Sequence, residues 1–347
     1  MIFLYLLSGL LAAGMLYEAA GVWRDKRRMP APGKRFDIGC AVLHLHELGQ
    51  GSPAVILESG IAASSINWTL VQQQLAQFVR VCSYDRAGFG WSSPCKTPRT
   101  VEQMISEIDA LLSRAAIPTP YILVGHSFGG LLVRAFAHRH PEKVAGLVLV
   151  DPVSVEFWAN CPESEIRRLQ RGTALSKRGA LLARFGVVRF ALAAVAAGRR
   201  SFPKAIARAT AGRGTTVIDR IVGEMRRLPP AMWPIIMSQW SRPQCFDSMA
   251  KHLAALPESA RTALNMPVPA NIPVTILSAE TATPQELEER ERWAQESEHG
   301  RHIQIPNSGH WLQLQYPDAV VNAVLELTER WRTLQRAAAG FSPRITN

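Results

Sequence analysis

From residue 35 onward, short continuous apolar runs alternate with stretches of helical period. AVILESG (54–60), VRVCSYD (79–85), YILVGHS (121–127), VAGLVLVD (144–151) and IPVTILSAE (272–280) read as largely apolar strands, and RHIQIP (301–306) as the last strand. Between them TLVQQQLAQF (69–78), the segment 100–116, LLVRAFAHRH (131–140), PQELEERERWAQE (284–296) and 317–336 read as helices. RFDIG (35–39) and AVLHLHEL (41–48) predict an opening hairpin, with His44 and His46 on one face by the two-residue period. Strands apolar on both faces and separated by helices predict an α/β fold, a mostly parallel sheet covered on both sides. The chain shows no internal repeat at periods of about 20–50 residues.

The first residues follow a different pattern. IFLYLLSGLLAAGMLY (2–17) carries no charge, and Glu18 is the only charged residue before Arg24. A helix from Ile2 to Trp23 would be roughly 33 Å long, enough to cross a hydrocarbon core. Trp23 and RDKRR (24–28) follow as an interfacial aromatic and a cationic stop. No basic residue precedes the apolar run, and its small-residue site, Ala12-Ala13-Gly14, lies mid-run. An uncleaved single-pass anchor (1–23) is therefore favoured over a cleaved signal or a buried helix. The Lys/Arg asymmetry predicts the body on the cytoplasmic side. Residues 24–34 form a basic, Pro-containing linker.

Composition narrows the class. With 47% hydrophobic and 19% charged residues among 347, a disordered chain is excluded. The cysteines (Cys40, Cys82, Cys95, Cys161, Cys245) are odd in number and lack CxxC spacing, which argues for reduced thiols rather than disulfides or a zinc ribbon. The net charge is +11, and residues 160–230 hold an equal excess of basic over acidic residues. That stretch, which includes Arg167, Arg168, Arg199, Arg200, Arg226 and Arg227, reads as a solvated basic face or as attraction to anionic lipid, with an anionic substrate as the lesser alternative. No nucleic-acid-binding motif accompanies the charge. His44/His46 and His138/His140 form no metal-ligand pattern with partner carboxylates or thiolates, so no metal site is expected.

One motif carries chemistry. YILVGHSFGG (121–130) holds G-x-S-x-G at Gly125-His126-Ser127-Phe128-Gly129, preceded by a strand and followed by a helix. A serine at the tip of a sharp strand-to-helix turn is held clear of its own sheet. Small residues two before and two after let the turn close. The helix after it offers free N–H groups and a dipole to a developing oxyanion. Ser127 is the candidate nucleophile. Its base is His310 in NSGHWLQLQYPDAVV (307–321), a small-residue loop after the last strand that can carry an imidazole over the strand ends. His126, beside the nucleophile, reads as structural.

ILESGIAASSINW, SYDRAGFGWSS, VGHSFGG, GLVLVDP and NSGHWLQLQYP, in that order, resemble the α/β-hydrolase superfamily over roughly residues 35–335. The resemblance is to serine hydrolases with a helical cap between strands six and seven. It implies core segments 35–152 and 266–340 and a cap at 153–265. It also implies an oxyanion hole from the N–H groups of Phe128 and Ile61, Ser59-Gly60-Ile61 standing for the family's usual His-Gly-X. A serine at 127 departs from the family's haloalkane dehalogenases and epoxide hydrolases, which attack with a carboxylate. The usual acid after strand seven is missing, Ala282 standing in its place. The acid is then Asp151, directly after strand six, with Glu280 as the alternative. Asp85 and Arg86 read as a buried structural pair.

The function expected is carboxylic-ester hydrolysis through an acyl-enzyme on Ser127, without a cofactor. The alternatives are C–C bond or lactone hydrolysis, and a catalytically silent protein bound at the membrane. Trp233, Met237 and Trp240 share one helical face of the cap, where they would be core or the roof of an acyl pocket.

Overall fold

The computed structural model describes residues 1–197 and 224–340, with the side chains of 339 and 340 excepted. Arg199 and Arg200 of the basic stretch lie outside the described residues. Eight strands form one sheet: β1 (Lys34–Asp37), β2 (Val42–Leu48), β3 (Ala54–Glu58), β4 (Val81–Tyr84), β5 (Tyr121–His126), β6 (Val144–Val150), β7 (Val274–Ala279) and β8 (Arg301–Ile305). Their spatial order is β1-β2-β4-β3-β5-β6-β7-β8. The β1–β2 hairpin adds antiparallel to β4, and every other pairing is parallel.

The central strands β3, β4 and β5 are buried along their whole length because each face meets a different helical layer. Tyr121 and Leu123 of β5, with Leu147 and Leu149 of β6, join the core beneath helices Val101–Arg114 and Phe128–Arg139. Ile122, Val124, Val148 and Val150 point the other way, onto helices Thr69–Leu75 and Pro317–Gly340. Burying a side chain of this size contributes about 1.5–3 kcal/mol, so the alternation fixes the register of the strands that carry the site.

Between β6 and β7 the chain leaves the sheet. The described part of this excursion is helical: Val155–Ala159, Glu163–Arg184, Val187–Ala196, Trp233–Ser241 and Pro243–Leu264. Trp233 and Trp240 join a cluster with Ile66, Ile236, Trp311 and Leu314, on the side of the His310 loop.

The first helix runs from Ile2 to Arg28, five residues past the expected end, so the RDKRR cluster is helical and only 29–33 connect it to β1. Among the described residues it is the one unbroken helix long and apolar enough to cross a membrane. The pair Glu163–Arg184 and Val187–Ala196, bent by 85°, meets the same test taken together.

Candidate active site

Ser127 follows β5 at φ 54°, ψ −120° and begins helix Phe128–Arg139. A non-glycine residue there carries backbone strain of about 1–3 kcal/mol, which the surrounding contacts must sustain. The glycines of the motif are required by close approach: a Cβ on Gly125 would lie 2.5 Å from the Gly129 carbonyl oxygen, and one on Gly129 equally near that of Glu58. The Ser127 carbonyl accepts from the Gly130 and Val153 N–H groups, at 2.9 and 3.2 Å, which ties the elbow to the segment after β6.

The sheet order puts β6 beside β5, and Asp151 directly follows β6. Its backbone is also left-handed, with φ 41°. His310 Nδ1 lies 2.6 Å from Asp151 Oδ2. The other carboxylate oxygen accepts from the Ala279 N–H and from Arg290, both at 2.9 Å. Burial pushes the Asp151 carboxyl up, but the His310 hydrogen bond, the Arg290 charge and the Ala279 N–H outweigh it and hold the group at about 2. A carboxylate so held stays ionised and keeps the Nδ1 proton of His310 on its side of the ring. Among the described residues, no hydrogen bond joins the Ser127 hydroxyl to His310, and the imidazole is 40% exposed. That leaves its far nitrogen accessible.

Glu280 is elsewhere engaged. Its carboxylate accepts from the Asn307 N–H at 2.8 Å, and its own N–H donates to Ser308 Oγ at 3.0 Å. Of the two acids considered, the structure brings Asp151 to the histidine and sets Glu280 as a brace for the loop that precedes it.

The candidate oxyanion donors flank the serine. Neither the Phe128 nor the Ile61 N–H has an acceptor among the described residues. Gly60 sits against the elbow, since a Cβ there would come within 3.3 Å of the Ser127 Cβ. Arg86 fixes this loop from behind. It donates to the Gly60 carbonyl at 2.5 Å, and also to the Ser59 carbonyl and the Glu58 carboxylate.

Asp85 and Arg86 are therefore not partners, contrary to expectation. Successive residues leaving β4 project in opposite directions. Asp85 turns to His44, with Oδ2 2.8 Å from Nδ1, and accepts from the Ser65 and Trp91 N–H groups, at 2.7 and 3.0 Å. His44 thus does have a carboxylate partner, from the strand paired with its own, which linear spacing could not disclose. Likewise Cys40, Cys95 and Glu107 bring three possible ligand atoms within 4.8 Å of one another. Both Glu107 oxygens, however, accept from Arg99 at 2.7 Å.

Three contributors to the site carry no signal in the sequence that reveals their role. Arg290, inside a charged helix, looks like its neighbours there, yet it is buried and bridges Asp151, Ser278 Oγ and the Pro152 carbonyl. Arg86 serves the Gly60 loop rather than its sequence neighbour Asp85. His126, read as merely structural, donates from Nε2 to the backbone carbonyl of His310 at 2.7 Å, the two rings 4.7 Å apart. Burial and the adjacent His310 lower its basicity to about 3, so the ring is neutral. Two clefts lie apart from the elbow. One, of about 600 Å³, runs along Leu287, Glu291 and His302, and another, of about 620 Å³, lies between Val22 and helix Pro243–Leu264.

A strained serine between strand and helix, with a histidine and a buried carboxylate from later loops, defines the α/β-hydrolase architecture. The family model for alpha/beta hydrolases matches residues 54–323. The chain belongs to this family. It is similar to an uncharacterized protein of Bacillus subtilis, YqjL, at 32% identity over 33% of this chain and 45% of that one. It is 34% identical to 2-hydroxymuconate semialdehyde hydrolase of Pseudomonas sp. (strain CF600) over 41% of this chain and 56% of that one. These matches span about half the length of those relatives. Among solved structures, a thermophilic esterase from Thermogutta terrifontis superposes with a TM-score of 0.60 at 21% identity, covering 86% of this chain and 99% of the other, which is a likeness of fold.

Proposed function

We propose that the protein is a serine hydrolase that cleaves a carboxylic ester through an acyl-enzyme on Ser127, with His310 as base and Asp151 as the orienting acid. The observation that carries this reading is the 2.6 Å contact between His310 Nδ1 and a buried, ionised Asp151, with Ser127 strained at the elbow nearby. His310 Nε2 takes the Ser127 proton as the oxygen attacks the acyl carbon. The oxyanion is held by the N–H groups of Phe128 and Ile61. His310 then protonates the departing alkoxide, completing the acyl-enzyme. Water enters, gives its proton to His310 and attacks the ester carbon. The tetrahedral intermediate collapses, and Ser127 recovers its proton as the acid leaves. Asp151 stays ionised throughout and stabilises the imidazolium.

The likeness to a 2-hydroxymuconate semialdehyde hydrolase favours a second reading, hydrolysis of a C–C bond next to a carbonyl by the same residues. Turnover of a panel of p-nitrophenyl esters and of a vinylogous 1,5-diketone separates the two. Ester turnover that disappears in Ser127→Ala supports the first. Diketone cleavage without ester turnover supports the second, and neither activity in folded protein would favour the silent binding protein.

The reading extends to location. Helix Ile2–Arg28, with Trp23 and the following basic cluster, would hold the hydrolase at a membrane with its body on the cytoplasmic side. Resistance to carbonate extraction tests the anchor.

A further inference from the structure

The first helix is not an independent tether. One stripe of it, Gly14, Glu18, Gly21, Val22 and Asp25, faces the cap, and the rest of its surface is exposed. The contact is made at the corner where helix Glu163–Arg184 turns by 85° into Val187–Ala196. A Cβ on Gly14 would overlap the Phe185 carbonyl oxygen, one on Gly186 would lie 2.7 Å from the Tyr17 ring, and one on Gly21 would meet the Arg189 side chain. Arg189 closes the joint. It donates to Glu18 at 2.8 and 3.1 Å and to Asp25 at 2.6 Å, all three side chains being buried.

This docking constrains how the helix meets a bilayer. The part free of the cap, Ile2–Ala13, is about 18 Å long, and a hydrocarbon core is about 30 Å thick. To cross, the helix must bring its docked turns below the membrane surface, and the corner of the cap goes with them. The corner is suited to that position. Leu181 and Phe190, one turn before and after the bend, are each 52% exposed, and Val195 is 44% exposed. Further along the same helix Trp23 is exposed with the Arg27 guanidinium 4.0 Å from its ring centre, the pairing of an aromatic and a cation found where acyl chains meet headgroups. Glu18 does not stand as a lone charge at depth, because Arg189 reaches it from the cap.

We propose that the cap corner around Leu181 and Phe190 is itself seated in the acyl region of the bilayer, locked to the anchor by Arg189. The inference rests on the anchor reading above and adds a second membrane element, one that is apolar rather than electrostatic. It fixes the body against the lipid surface with the cap side down.

The full-length protein is reconstituted in vesicles of phosphatidylcholine and phosphatidylglycerol containing radiolabelled phosphatidylcholine, with the photocrosslinker benzoylphenylalanine at position 181 or 190. Positions 78 and 334 are the controls. Phe78 and Leu334 are also more than half exposed, and they lie by the start of β4 and the end of the last helix, at the sheet edge opposite the cap. Light-dependent lipid adducts several-fold higher at 181 and 190 than at 78 and 334, unchanged in molar salt, are expected. Equal adducts at all four positions in protein that resists carbonate, or adducts at 181 and 190 with protein only, would overturn this inference while leaving the anchor. Release of the protein by carbonate would overturn both.

Discussion

The Arg86 guanidinium donates to the Gly60 carbonyl oxygen at 2.5 Å. Because the peptide is trans, the Ile61 N–H on the far side of that bond points away from Arg86. The proposed oxyanion donor is thus aimed by an arginine that touches no reacting atom. Arg86 is a positioning residue, and Glu58 holds it in place.

Arg86→Lys keeps a charge near Glu58 but cannot serve the carboxylate and two carbonyls in one plane. The expected result is a fall in kcat of roughly 10- to 100-fold with KM little changed, since the loss falls on the transition state. Arg86→Gln should in addition destabilise the fold by about 3–5 kcal/mol, because buried Glu58 loses its opposite charge while keeping the Tyr84 hydroxyl. Steady-state kinetics and denaturant melts check both. A change confined to KM would remove the positioning role.

Asp151→Asn should lower kcat by about 10³–10⁴-fold while binding persists. Glu280→Gln should be mild, as it loosens only the Asn307 brace. The reverse ranking would move the acid to the segment after β7. Melts of both variants are needed, since the neutral amide of Asp151→Asn also gives up the charge pairing with buried Arg290.

His126 predicts a pH dependence of stability. Its basicity is depressed in the folded protein to about 3, against 6.5 as the ordinary value. Above pH 6.5 neither state is protonated there and the residue adds no pH dependence. Between 6.5 and 3 the unfolded chain binds a proton that the folded one does not, so stability falls with acidification, by up to about 4–5 kcal/mol. Buried His252 is shifted in the same direction, away from Ser127. Denaturant melts across this window should show a shallower slope for His126→Gln than for the wild type. An unchanged slope would contradict a neutral His126.

The sheet was legible in the sequence because its strands are apolar on both faces. YILVGHS and VAGLVLVD could be nothing but interior strands, and their helices follow by period. The candidates Ser127 and His310 could be named from the sequence because a local motif or a loop position marks each. Asp151 was named only through the family resemblance, with Glu280 beside it, and the sheet order, which puts β6 next to β5, gives the physical reason that it lies near the elbow. Arg290 and Arg86 were not legible, since they act through partners 139 and 26–28 residues away, and neither carries a local signal. The docking of the first helix was hidden for the same reason. Glu18 read as a lone charge before Arg24, and Asp25 as part of the cationic stop, until Arg189 is seen to join them across 171 and 164 residues.

Arg189→Leu should leave Glu18 and Asp25 buried and unpaired, and so loosen the cap from the first helix. Limited proteolysis of the membrane-bound protein should then cut within 163–196 faster than in the wild type. Equal rates would mean that the three charges do not hold the joint.

The most direct test of the central claim is to label the wild-type protein with a fluorophosphonate and locate the adduct by peptide mass spectrometry. The account predicts one phosphonylated site, at Ser127, with labelling lost in Ser127→Ala and slowed in Asp151→Asn. An adduct on any other serine, or undiminished labelling of Ser127→Ala, would contradict it.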